Sequence, residues 1–197
     1  MSKHALISAQ SLARMSRVME RWVHGLGAVE VPLAWVVPEA YTEATRPAWA
    51  ARQPSTPHGR LVASGEQTFL QLAEEGILPP GRRFIGWTPC FREENFDATH
   101  HYTFIKAEVF AWVDESVSVS DQLLCLIDGA RRALQPETDL PIVPVPQSDG
   151  SWDLEIQGVE VGSYGMRRLP QSGRPYLYGT ALAEPRFGFA LQPREIP

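Results

Sequence analysis

Residues 83 to 113 read RFIGWTPCFREENFDATHHYTFIKAEVFAWV, two apolar-rich runs on either side of a polar centre. The runs, Arg83 to Glu93 and Tyr102 to Val113, predict two long strands. The polar loop Glu94 to His101 between them makes the pair antiparallel. Side chains alternate along a strand, so Ile105, Ala107, Val109, Ala111 and Val113 fall on one face of the second strand. Phe104, Lys106, Glu108, Phe110 and Trp112 fall on the other, which sets two charges among aromatics. The hairpin thus gathers Arg92, Phe104, Glu94 and Glu108, with His100 in the loop. An arginine can grip a phosphate by paired hydrogen bonds. An aromatic face can stack on a purine for about 1–3 kcal/mol, and a carboxylate can receive an amino group. A hairpin with ordinary surface ion pairs is the plain alternative.

Before the hairpin, Leu12, Met15, Met19, Trp22, Val23 and Leu26 recur at helical spacing, and Gly25 and Gly27 end that helix. A short strand, Ala28 to Val31, stops at Pro32. Ala40 to Gly59 lacks periodicity and reads as a loop or short broken elements. Glu66 to Glu75 predicts a second helix, punctuated by Pro79 and Pro80. Ser120 is the expected cap of a third helix reaching Leu134. After the proline-rich Pro141 to Pro146, Trp152 to Ile156 and Val159 to Met166 predict strands, and an apolar segment, Gly179 to Leu191, follows. With no repeat or domain boundary, the expectation is one α+β domain, residues 1–197, with an antiparallel β-sheet flanked by helices.

Composition narrows the function. The chain has 197 residues, 44% apolar and 21% charged, enough to build a core without disulfides or structural metals. The net charge is −5 and the lysines are Lys3 and Lys106 alone, which argues against broad contact with nucleic-acid phosphates. Cys90 and Cys125 form no C-x-x-C pair and are expected as buried free thiols. No stretch has membrane-spanning length, and Ser8 to Arg21 is too polar for a signal peptide, so a cytoplasmic protein is expected.

Phe91-Arg92-x-Glu94, His100 four residues before Phe104 and Glu108 four after it resemble motif 2 of class II aminoacyl-tRNA synthetases. Asp97 to Glu108 is most similar to the phenylalanyl type, whereas Thr88 to Arg92 and Lys106 to Glu108 are more similar to the seryl type. Tyr178-Gly179-Thr180-Ala181-Leu182-Ala183-Glu184-Pro185-Arg186 resembles motif 3, small residues entering a helix and ending in an arginine. Ala181 and Ala183 stand where that family usually has glycine, a departure expected to narrow the nucleotide site. Between the motifs, Asp153 to Ser163 resembles the metal- and substrate-binding strands of lysyl-type enzymes. Glu160 and Ser163 also match a seryl-type pair. Ser64-Gly65-Glu66 matches the segment that holds the substrate amino group, and Pro32 the proline of the motif 1 dimer interface.

The resemblance implies ATP-dependent amino-acid activation. It gives Arg92 the α-phosphate and substrate carboxylate, Glu94 the adenine amino group and Phe104 the adenine ring. His100 and Arg186 would hold the outer phosphates, Asp153 and Glu160 a Mg2+ ion. Glu66 and Glu108 would take the substrate ammonium, with Ser163 near the amino acid. A homodimer anchored by Trp22 is implied as well. Full synthetases carry tRNA-binding domains for which 197 residues leave no room, so the expected acceptor is a small molecule, carrier protein or other protein, not tRNA. Two scattered cysteines do not support the zinc site of the related carrier-protein ligases. The competing expectation is a catalytically silent relative that binds an amino acid or nucleotide, or serves a regulatory role.

Overall fold

The structure, a computed structural model, describes residues 7–93, 97 and 99–193. Helix α1, Ala9–Glu20, begins where Ser8 Oγ accepts the Ser11 N–H at 3.0 Å. It widens into a π turn over Arg21–Gly25. Short elements follow: β1 (Val29–Glu30), β2 (Val36–Val37), α2 (Glu39–Thr45), β3 (Ser55–Thr56) and β4 (Gly59–Leu61). Next come α3 (Glu66–Glu74), the long strands β5 (Arg83–Phe91) and β6 (Thr103–Trp112), and α4 (Val119–Leu134). The chain then runs through β7 (Val143–Pro146), β8 (Trp152–Ile156), β9 (Val159–Arg168), β10 (Pro175–Glu184) and α5 (Arg186–Ala190).

Seven strands form the main sheet in the order β1-β5-β6-β10-β9-β8-β7, antiparallel except for β1 beside β5. The other three make a small sheet, β2-β4-β3. As the alternation of β6 predicts, each face of the large sheet has its own core. Ile105, Ala107, Val109 and Ala111 pack toward α1, α4 and α5, whereas Phe110 and Trp112 join Phe69, Phe84 and Tyr176 beneath α2 and α3. Phe110 stacks on Tyr176 with ring centroids 5.0 Å apart and meets Trp112 edge-on at 5.1 Å. Neither face of β6 meets solvent along its length, but its polar end, Phe104 to Glu108, opens into a cleft.

Several expectations are corrected. Trp22 is fully buried in the first core, so it anchors the interior and no interface. The stretch from Ala40 to Gly59 does hold short broken elements, as expected: most of the seven-residue helix α2, then β3 and the start of β4. Helix α4 starts after Ser118, not Ser120, with no side-chain cap bond. The proline-rich segment supplies edge strand β7, where missing N–H groups are tolerated. Cys90 is buried, which pushes its thiol up to about 12, but Cys125 is exposed and accepts a hydrogen bond from Arg83 at 3.1 Å.

Candidate functional site

The cleft lies on the α2–α3 side of the sheet, with a volume of about 430 Å³. Its walls include the end of α2, the start of α3, β6, β9, β10 and the segment from Thr99 to His101. It brings together Glu66, Arg92, His100, Phe104, Glu108, Glu160, Ser163 and Arg186 from positions spread over 120 residues of sequence. Asp153 does not line it. Glu94 lies outside the described residues.

Arg92 follows β5 and is held by its own chain. Its Nε donates to the Ala63 carbonyl at 3.0 Å, and its guanidinium carbon stands 5.2 Å from the centroid of the Phe104 ring. The aromatic shelf and the cation read separately from sequence are therefore one unit. On the facing wall, Arg186 at the start of α5 pairs with Glu160 at 3.0 Å, and its Nε donates to the Thr99 carbonyl at 3.4 Å. His100 sits in the same segment, its Nδ1 2.8 Å from Asp97 Oδ2. The Asp97 carboxyl is held well below its ordinary value, first by the Thr99 backbone N–H and also by His100. Arg186 thus ties the β5–β6 loop to β9.

Glu108 is 5% exposed, and its oxygens are already engaged. Oε1 accepts from Ser64 Oγ at 2.5 Å and Lys106 Nζ at 2.7 Å, while Oε2 accepts the Glu66 N–H at 3.2 Å. Three of roughly four acceptor positions are filled. A carboxylate at the first turn of α3 suits both the open N–H groups and the helix dipole there. The Glu66 N–H is shared between Glu108 of β6, at 3.2 Å, and the local Ser64 Oγ, at 3.4 Å. Gly65 permits this approach: a Cβ there would meet Glu108 Oε2 at 3.0 Å and Leu33 Cδ1 at 2.6 Å.

Glu66 is likewise buried, with one partner on each oxygen. Tyr176 donates to Oε1 at 2.7 Å and Arg167 Nη1 to Oε2 at 2.6 Å. Burial, and then the Glu66 charge, raise the Tyr176 phenol far above its ordinary value, so it remains a donor. Arg167 was missed in the sequence, although period-two counting from Ser163 reaches it through Gly165 on one strand face.

Asp153 is half-buried opposite Ser163 in the β8–β9 ladder, and Glu155 pairs with Glu160. Burial raises the Asp153 carboxyl, as does the nearby Glu160 charge. Two interacting carboxylates offer the hard oxygens that Mg2+ takes, and such an ion uses few protein ligands beside phosphates. Of these two carboxylates Glu160 lines the cleft and Asp153 stands behind it on β8. Among the described residues no cluster of three or more His, Cys, Asp or Glu is arranged to hold a metal.

Strand β10 corrects the reading of its small residues. They continue a strand to Glu184, and only Arg186 begins a helix. A register shift after Thr180 turns Ala181 and Leu182 both into the first core, so Ala181 cannot narrow the cleft; Ala183 lines it. Glu184, buried, receives Arg14 of α1 and accepts the Gly188 N–H at 3.2 Å, which secures the start of α5.

Residues 66–145 match the family model described as tRNA synthetases class II core domain (F). A sequence comparison with curated proteins gives no match. Among solved structures, a pyrrolysyl-tRNA synthetase from Desulfitobacterium hafniense superposes with a TM-score of 0.69 at 15% identity, over 90% of this chain and 65% of that one. Seryl-tRNA synthetase from Pyrococcus horikoshii, complexed with ATP, superposes with a TM-score of 0.72 at 17% identity, over 91% of this chain and 49% of that one. The chain spans less than two thirds of the length of either. The chain therefore has the fold of a class II aminoacyl-tRNA synthetase catalytic core, and its central residues, 66–145, are similar in sequence to that family's core domain.

Proposed function

We propose that the protein joins an amino acid to AMP, using ATP and releasing pyrophosphate. The observation that carries this reading is the meeting, in one cleft, of the Arg92–Phe104 unit, Arg186 and the buried Glu66. A substrate carboxylate is already nucleophilic at neutral pH, so positioning and charge stabilisation suffice. One of its oxygens attacks the α-phosphorus of ATP. The P–O bond to the β-phosphate breaks, and its electron pair leaves with pyrophosphate. Phe104 offers adenine a face, and Arg92 neutralises the α-phosphate and orients the attacking carboxylate. Arg186 and His100 receive the outer phosphates, Arg186 exchanging Glu160 for them. Glu66 takes the substrate ammonium beside Ser163. Glu108 acts through its hold on the start of α3, which sets the position of Glu66. Glu160 and Asp153 are the residues that would hold Mg2+, which when bound would neutralise phosphate charge.

The acceptor of the activated amino acid is, in this reading, a small molecule or a carrier or other protein. Supporting this, the chain is acidic, and Lys106, the one lysine among the described residues, is spent on Glu108. A homodimer fits as well. With Trp22 buried, the apolar surface for it is the α1 face where Leu12, 49% exposed, and Trp87, 40% exposed, border one shallow depression with Met15 and Val23. Hydroxylamine trapping tests the main reading: an ATP- and amino-acid-dependent aminoacyl hydroxamate supports it, and none across all amino acids rejects it. The Glu160–Arg186 pair favours a second reading, a protein that binds nucleotide or amino acid without turnover. Calorimetric binding without hydroxamate would select that one.

A further inference from the structure

Arg167 has no part in the adenylation scheme, yet it lines the cleft beside Glu66, Ser163 and Tyr178 with 43% of its side chain exposed. Its placement is built, not incidental. Its guanidinium carbon lies 4.2 Å from the centroid of the Tyr178 ring, and Nη1 donates to Glu66 at 2.6 Å. Gly165 makes room for that ring, since a Cβ there would fall 2.6 Å from the Tyr178 hydroxyl. One face and one nitrogen are thus fixed. Nε and Nη2 make no hydrogen bond among the described residues. A guanidinium presents such N–H pairs to a carboxylate through two parallel bonds.

Charge balance makes the same demand. Glu66 has room for a further donor, because an ionised carboxylate accepts about four bonds and two are filled. An α-ammonium arriving there would put two cations, itself and Arg167, on one buried anion. A substrate that brings a second carboxylate, beyond the one presented to ATP, restores the balance. Taking the ammonium position from the adenylation reading, we propose that the substrate is an amino acid with a side-chain carboxylate, selected by Arg167. Burial works against the Arg167 charge, but Glu66 and Tyr178 outweigh it, so the guanidinium stays protonated in the site.

Acid and amide partners of nearly equal size give the test: aspartate against asparagine and glutamate against glutamine, measured by calorimetry without ATP. At least one acid should bind tenfold or more tightly than its amide. Arg167→Gln should bring that ratio near one, and Arg167→Lys should keep part of it, with circular dichroism verifying the fold of both. Equal binding of acid and amide by the unaltered protein overturns the proposal, as does a ratio that survives Arg167→Gln or a neutral amino acid that binds best. Pyrophosphate exchange in parallel separates the two claims. Acids that bind selectively without exchange leave this proposal standing and remove adenylation; exchange driven by a neutral amino acid does the reverse.

Discussion

The Glu108 carboxylate accepts the backbone N–H of Glu66 at 3.2 Å, across 42 residues of sequence. A strand residue thereby caps the helix that presents the neighbouring buried acid. Ser64 and Lys106 complete the shell, so removing the charge unbalances several partners at once. Glu108→Gln should lower stability by about 1–3 kcal/mol, measured by denaturant unfolding, and should weaken amino-acid binding through Glu66. Burial alone would raise the Glu108 carboxyl, but Lys106, Ser64 and Arg92 outweigh it and leave it lowered. Its contribution is therefore present above the ordinary carboxylate range and lost as pH falls through the lowered value. Unfolding between neutral and acid pH should be steeper for the unaltered protein than for Glu108→Gln.

Arg92 and Arg186 face the cleft and fill neither core. Arg92→Ala and Arg186→Ala should each leave a folded protein while removing on the order of 1.5–3 kcal/mol of ATP binding. Thermal melting with and without ATP measures this, and the ATP-induced rise in Tm should shrink in both variants. An unchanged rise in both would remove the phosphate assignment.

Much of this architecture was legible because β6 obeys one rule along its whole length. Alternation separates Ile105 to Ala111 from Phe104 to Trp112, and the two cores lie where it puts them. The spacing of Arg92, His100, Phe104 and Glu108 survives folding because two paired strands preserve it, Cys90 standing opposite Phe104. What sequence spacing does not carry is partnership between distant strands. The Glu66–Arg167 pair joins residues 101 apart, and the Glu160–Arg186 pair joins β9 to α5. Ala181 misled for a related reason, because a register shift changes which face a residue takes. Trp22 misled because a large aromatic at helical spacing serves a core as well as an interface.

If α1 forms a homodimer, Leu12 and Trp87 supply its exposed apolar contacts. Sedimentation should find a dimer at micromolar concentration. The double change Leu12→Glu with Trp87→Glu should give a folded monomer, as charges in that depression cannot be desolvated without partners. A monomer of the unaltered chain would exclude the assembly.

Transfer to tRNA should be inefficient. An acidic chain whose described lysine is held by Glu108 can neutralise few phosphates, so residual tRNA binding should vanish at moderate salt. Acid-precipitable ester after incubation with ATP, total tRNA and the activated amino acid measures it. Robust charging that is lost on Arg92→Ala would show tRNA to be the acceptor.

Amino-acid-dependent exchange of labelled pyrophosphate into ATP reports reversible adenylate formation without needing an acceptor. Exchange is expected with a narrow set of amino acids and should fall by at least tenfold in Arg92→Ala while the fold is retained. Absence of exchange with every amino acid, from protein that melts cooperatively and binds ATP, would contradict adenylate formation.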